Sequence, residues 1–225
     1  MSARPGTANR LVLYGAGTTR TMRAHWALHE LGLEYEPRLI ASRSGETATE
    51  EFGRLNPRRK IPVLRDGDFT LTESAAIVTY LGETYGRDGE LVPPARTRER
   101  ARYDEACFFV AMELDAHTLY VVRRHQDMAA LYGEAPNAVR EAFAGFDRQV
   151  ATVDAALADG RWWLLGDTFT GADILLGTCL EWAGLYALPL GDRLAAYFDR
   201  VRARPAFGRA AAVNYSILPD GTPRR

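Results

Sequence analysis

The sequence predicts two domains of different class: a small α/β domain ordered β-α-β-α-β-β-α, then an all-α helical bundle. Three observations carry this. Short strand-like runs alternate with helical patterns as far as Tyr85. A linker rich in Gly, Pro and charge, GRDGELVPPA, spans Gly86 to Ala95. Beyond it the strand signal vanishes and apolar residues recur at helical spacing. The expected boundaries are 1–85 for the α/β domain, 86–95 for the linker and 96–225 for the helical domain.

In the first domain, Arg10 to Tyr14 (RLVLY) reads as a short buried strand. Gly15-Ala16-Gly17-Thr18-Thr19 is a turn with two glycines and two candidate helix caps. Arg20 to Gly32 is a helix with Gly32 as its C-terminal stop. Tyr35 to Ile40 is a second strand, parallel to the first if the helix is the crossover. Thr47 to Arg54 is a short helix. Ile61 to Leu64 and Phe69 to Leu71 are strands joined by the turn signal Asp66-Gly67-Asp68. Glu73 to Tyr85 is a helix. This order is that of a thioredoxin-like domain. The second domain is expected to hold helices at Arg96 to about His125, Asn137 to Ala158, Gly171 to Tyr186, Asp192 to Arg204 and Pro205 to Val213.

The totals exclude several function classes. Of 225 residues, 47% are hydrophobic and 25% charged, which suits a globular protein with real cores. A net charge of −1 gives no electrostatic case for nucleic acid or an acidic membrane. No apolar run approaches the roughly 20 residues of a membrane helix. Met1 to Arg10 lacks a signal peptide's apolar region and reads as a short frayed tail. Cys107 and Cys179 are too few and too isolated for a disulfide framework or a metal site. A cytoplasmic setting is expected, with both thiols buried.

The most informative tract is Asn56-Pro57-Arg58-Arg59-Lys60-Ile61-Pro62-Val63-Leu64, with Glu73-Ser74 at the start of the next helix. Proline lacks a backbone N–H and is unexpected at the entrance of a central strand. Read alone, Pro62 is either a trans residue opening an edge strand or one of the few cis X-Pro steps. The spacing NPxxK-[VI]-PVL, then ES before a helix, resembles the glutathione-binding half of the cytosolic glutathione transferase family, in its serine/threonine-type, bacterial-like form. So does the two-domain layout, over nearly the whole chain. The segment GDTFTGAD from Gly166 to Asp173 resembles the family's GDxFTxAD element, assigned here to folding: Thr170 caps the next helix and Asp173 reaches back.

The resemblance implies a site built from three places. Ile61, before a cis Pro62, would turn its backbone N–H and C=O outward to pair with the cysteinyl unit of glutathione, a form of strand addition. At the helix start, free amides favour an anion. Ser74 would bind the γ-glutamyl carboxylate there and Glu73 would meet the amino group. The bland alternative is Thr72 as a helix cap with Glu73 complementing the dipole. Lys60, and less so Arg58 and Arg59, would attract the tripeptide's carboxylates. The thiol must be held as thiolate by a hydrogen-bond donor. Counting back from Glu30-Leu31-Gly32-Leu33 ranks Thr18 first, Thr19 second and Tyr14 third. Each threonine has helix capping as its alternative role. Arg23 occupies the family's arginine position.

The remaining patterns fail. Gly15-x-Gly17 lacks the third glycine of a dinucleotide fingerprint, because Arg20 stands there. His25 and His29 lie one helical turn apart, but with no thiol nearby and no HExxH pattern they read as a surface helix face. No G-x-S-x-G elbow is present. The would-be C-x-x-C slot reads Thr18-Thr19-Arg20-Thr21, which argues against disulfide exchange. In the second domain the resemblance implies an apolar electrophile pocket on the first long helix, with Tyr103, Phe108 and Met112 as candidates. The expected activity is a glutathione transferase: glutathione as co-substrate, no metal, a small electrophile as the second substrate, and a homodimer. The alternatives are a non-catalytic binding protein, or a glutathione-dependent isomerase, reductase or dehalogenase on the same scaffold.

Overall fold

The computed structural model describes residues 11–87 and 89–217. The tail expected at Met1 to Arg10 lies outside the described residues. The chain separates into two compact units, one of residues up to Val92 together with those from Ala203 onward, the other Pro93–Arg202.

The first unit is built on four strands: β1 (Leu11–Ala16), β2 (Tyr35–Ala41), β3 (Val63–Asp66) and β4 (Phe69–Thr72), in the order β2-β1-β3-β4. β1 pairs parallel with β2 and antiparallel with β3, and β3 pairs antiparallel with β4. The central strands are the apolar ones: Leu13, Val63 and Leu64 are fully buried. Pro37 sits on β2, an edge strand, where its missing N–H breaks no inner ladder. Helices α1 (Thr19–Glu30) and α4 (Ser74–Tyr85) bury Met22, Trp26, Leu28, Ile77 and Leu81.

The single helix expected over 47–54 is two, α2 (Gly45–Ala48) and α3 (Glu50–Leu55). Thr49 between them is extended, at φ −65° and ψ 155°, and its hydroxyl accepts the Phe52 N–H to start α3. Arg59 fastens this corner: its guanidinium donates to the carbonyls of Thr47, Ala48 and Thr49.

The second unit is helical. α5 (Arg98–Phe109) runs on through a π-helical stretch, Val110–Leu119, then α6 (Tyr120–Val122) and a second π-helical turn, Arg123–Asp127. α7 (Ala129–Tyr132), absent from the expected helices, precedes α8 (Pro136–Ala156). α9 (Gly171–Leu185) is the buried central helix and α10 (Asp192–Arg202) closes the unit. Asp173 ties these together. Its carboxylate accepts the N–H groups of Leu164 and Thr170, both at 2.8 Å, and the hydroxyls of Thr170 at 3.1 Å and Tyr197 at 2.7 Å. Burial pushes its pKa up, and those four donors oppose the shift. Both cysteines are buried. No described helix is long and apolar enough to cross a membrane.

The last helix, α11 (Pro205–Asn214), departs from the expected boundary at 96–225. It packs on α1, in the first unit. Arg204 makes a bidentate pair with Glu30 at 2.7 Å, and the Trp26 and Phe207 rings meet edge-on with centroids 5.0 Å apart. Composition could not show this, because a helix pattern says nothing about which domain it covers.

Candidate active site

The sheet register brings three stretches together. Val63, the first residue of β3, pairs with Tyr14 near the end of β1 and with Thr72 at the end of β4. Ile61-Pro62 therefore enters the sheet between the β1–α1 turn and the Glu73–Ser74 start of α4. The Ile61-Pro62 bond is cis. Gly15 makes the approach possible: its φ is +117°, and a Cβ built there would lie 2.6 Å from the Ile61 Cβ and 2.9 Å from the Thr21 Cγ2.

The loop before Ile61 is organised by Asn56, which is buried. Its Nδ2 donates to the Lys60 carbonyl at 2.8 Å and its Oδ1 accepts the Arg58 N–H at 3.1 Å. The three basic residues part company. Arg59 is committed to the α2–α3 corner. Arg58 pairs with Glu73 at 3.1 Å, with both side chains mostly exposed, a contact worth about 0–1 kcal/mol. The Lys60 side chain is exposed.

At the start of α4, Glu73 is the N-terminal cap position, with φ 69° and ψ 114°, and no side chain caps the helix amides. Thr72 is a strand residue, not the cap. A left-handed glutamate is costly and persists where its surroundings impose it. The result is a helix N-terminus whose N–H groups and dipole remain available to a carboxylate. Ser74 is buried, and its hydroxyl accepts from Arg23 Nη1 at 3.3 Å. Arg23, itself buried in α1, thus supports the residue expected to bind the ligand.

Thr18 is the N-cap of α1. Its Oγ1 accepts the Thr21 N–H at 3.0 Å, and the Thr18 N–H donates back to Thr21 Oγ1 at 3.1 Å. Capping uses the oxygen's lone pair and leaves the hydroxyl proton available, so Thr18 can cap and donate together. Thr19 follows as the first helical residue and is buried. Tyr14 packs with Ile61 against Ile40, Phe52 and Val63, with the Arg65 guanidinium 5.9 Å from its ring centre. One residue far along the chain also holds the turn, and no local signal marks it: Asn214 of α11.

The histidines are not the surface face that their spacing suggests. His25 is fully buried. Its Nε2 lies 3.0 Å from the Gly15 carbonyl and its Nδ1 2.7 Å from the Tyr35 hydroxyl, which is 3.4 Å from His29 Nε2. Burial lowers the His25 pKa to about 4 and raises that of Tyr35 to about 12. Neutral His25 with its proton on Nε2 satisfies both neighbours. No group of three or more metal-ligating side chains occurs among the described residues.

Of the second-unit candidates, Tyr103 is fully buried under the Arg100 guanidinium, while Phe108 and Met112 are 70% and 47% exposed.

The first unit is thus a thioredoxin-like fold with a cis Ile61-Pro62 step beside an uncapped helix start, and the second unit is helical. The sequence matches the family models for the glutathione S-transferase N-terminal domain over residues 9–83 and the C-terminal domain over residues 136–200. The chain belongs to the glutathione S-transferase family. Similar solved structures include the theta-class glutathione S-transferase of Xanthomonas axonopodis pv. citri with glutathione bound. It is 27% identical, with TM-score 0.75, over 90% of this chain and 97% of that one. A glutathione transferase of Methylococcus capsulatus is 28% identical, with TM-score 0.75, over 91% and 98%. One of Phanerochaete chrysosporium in complex with oxidized glutathione is 23% identical, with TM-score 0.78 over 92% and 96%, and shares the fold.

Proposed function

We propose that this chain binds glutathione and conjugates it to a small hydrophobic electrophile. The observation that carries the reading is the cis Ile61-Pro62 step entering the sheet beside the uncapped start of α4. In this reading the Ile61 backbone pairs with the cysteinyl unit, and Pro62 sets its direction. The α4 amides and the Ser74 hydroxyl take the γ-glutamyl carboxylate. Glu73 exchanges its weak surface pair with Arg58 for the ligand's amino group, and Lys60 meets the remaining carboxylate.

Glutathione supplies the thiol. The chain's part is to lower its pKa and orient it. A hydroxyl donor stabilises the thiolate by about 1.5–3 kcal/mol, as hydrogen bonds to charged groups do. Thr18 is the donor of choice, because its capping bond uses a lone pair and leaves its proton able to turn from Thr21 Oγ1, 2.9 Å away, to the thiolate; Thr19 and then Tyr14 are the other candidates. The thiolate attacks the electrophile and the leaving group departs with its electron pair. Phe108 and Met112 offer apolar surface for that electrophile, while Tyr103 is fully buried. The protein acts as a cytoplasmic homodimer, and the exposed Phe69 ring, 5.2 Å from Tyr80, is apolar surface suited to the contact.

The test is glutathione binding by calorimetry beside turnover with a panel of electrophiles. Binding with conjugation supports the proposal. Binding without conjugation of any panel member turns the reading to a glutathione-binding protein. Absence of binding overturns both. Sedimentation velocity reads the dimer.

A further inference from the structure

The β1–α1 turn is gripped from outside by Asn214, at the end of α11 and fully buried. Its carbonyl accepts the Gly17 N–H at 2.7 Å. Its Nδ2 donates to the Thr18 carbonyl at 3.1 Å, and its Oδ1 accepts the Thr21 hydroxyl at 2.6 Å. Ile217 packs on the same turn: it is buried with Ala16 and Ala41, and a Cβ on Gly17 would lie 3.7 Å from its Cγ1.

The protons can be assigned one by one. The Thr18 carbonyl accepts the Met22 N–H at 3.0 Å and the Asn214 amide, which uses both lone pairs. The single Thr21 hydroxyl proton has two acceptors in reach, the Thr18 carbonyl at 2.8 Å and Asn214 Oδ1 at 2.6 Å; with the carbonyl already taken by two N–H donors, it goes to Asn214 Oδ1, its shortest contact. A flipped amide would set Oδ1 against the Thr18 carbonyl, acceptor against acceptor. Thr21 Oγ1 is left as an acceptor, facing the Thr18 N–H and, at 2.9 Å, the Thr18 hydroxyl. Among the described residues the Thr18 proton thus rests on Thr21 Oγ1. It can turn to a thiolate without leaving any backbone group unsatisfied.

We infer that Asn214 is a positioning residue for the glutathione thiolate, acting through Thr21 and Thr18 and touching no substrate itself. This rests on the proposed function with Thr18 as donor. Without the Asn214 side chain the Thr21 proton is free to swing towards Thr18, and the turn loses two of its outside contacts. The hydroxyl then samples several directions where it had one.

The experiment is a double-mutant cycle in the full chain: Asn214→Ala, Thr18→Ala and both together. Thiolate absorbance gives the pKa of bound glutathione, calorimetry with S-methylglutathione gives affinity independent of the thiol, and thermal melts report folding. Asn214→Ala is expected to raise the bound thiol pKa by about one unit, with kcat near neutral pH falling about tenfold. S-methylglutathione affinity should stay within about twofold, and the shift should vanish in the Thr18→Ala background. An equal shift in both backgrounds, or none in the wild type, overturns the inference. If Asn214→Ala does not fold, Thr21→Val removes the same hydroxyl relay and is held to the same outcomes. A wild type that fails to bind glutathione overturns the proposed function itself, whereas normal binding with an unmoved thiol overturns only the role of Asn214.

Discussion

Thr18 combines two roles that a single substitution can separate. Thr18→Ala removes the α1 cap, at about 1 kcal/mol of stability, and the thiolate donor, at about 10- to 100-fold in kcat/KM. Thr18→Ser restores both. Steady-state kinetics with thermal melts on the two variants check this, and a larger loss in Thr19→Ala or Tyr14→Phe would move the donor to that residue. His25 carries a separate, pH-dependent prediction. Folded His25 titrates near 4 and an unfolded histidine near 6.5, so between these values the unfolded chain binds more protons. Stability is therefore present above pH 6.5 and is lost as pH falls towards 4, by about 2 kcal/mol at pH 5. His29, lowered by burial and then by Arg209, adds in the same direction. His25→Gln keeps a donor for Gly15 and an acceptor for Tyr35 without titrating. Urea unfolding at pH 7 and pH 5 should show a smaller pH dependence in that variant, and an unchanged one would refute the assignment.

At the scale of elements, the β1–α1 turn and the entrance of β3 are shaped to each other. Gly15→Ala must place a Cβ inside contact distance of Ile61 at a φ of +117°. The expected cost is roughly 2 kcal/mol or more, with weaker glutathione binding, measured by denaturant midpoint and calorimetry. The start of α9 depends on Asp173 in a similar way. Asp173→Ala strands two N–H groups and the Tyr197 hydroxyl in the interior, for about 3 kcal/mol or more. A thermal melt within a few degrees of wild type would show that water replaces the carboxylate. Both elements announced themselves in the sequence, through the glycines after the first strand and through the GDTFTGAD segment, because turns and caps are written in neighbouring residues. The α2–α3 division was not legible. It depends on Arg59, which arrives from the next loop to hold three carbonyls.

Across the whole molecule, α11 belongs by packing to the unit at the other end of the chain. Deleting residues from Ala203 onward removes the Arg204–Glu30 pair, the Phe207 contact with Trp26 and the Asn214 grip on the turn. Amide exchange is expected to show α1 losing protection by at least about tenfold, while α9 keeps its own. Equal protection of α1 with and without the segment would contradict this. The sequence by itself determined the order of the strands and the longer helices, the odd Ile61-Pro62 step and the chemistry-bearing residue types. Each of these rests on local preference: periodicity, a fixed proline φ, a hydroxyl before a helix. Only the tertiary structure decided which neighbours those residues have. It put Arg59 on a helix end, Arg58 on Glu73, His25 in the interior and Asn214 on Thr18. Such contacts join residues far apart in the chain, and burial and hydrogen-bond partners exist only once the chain has folded back on itself.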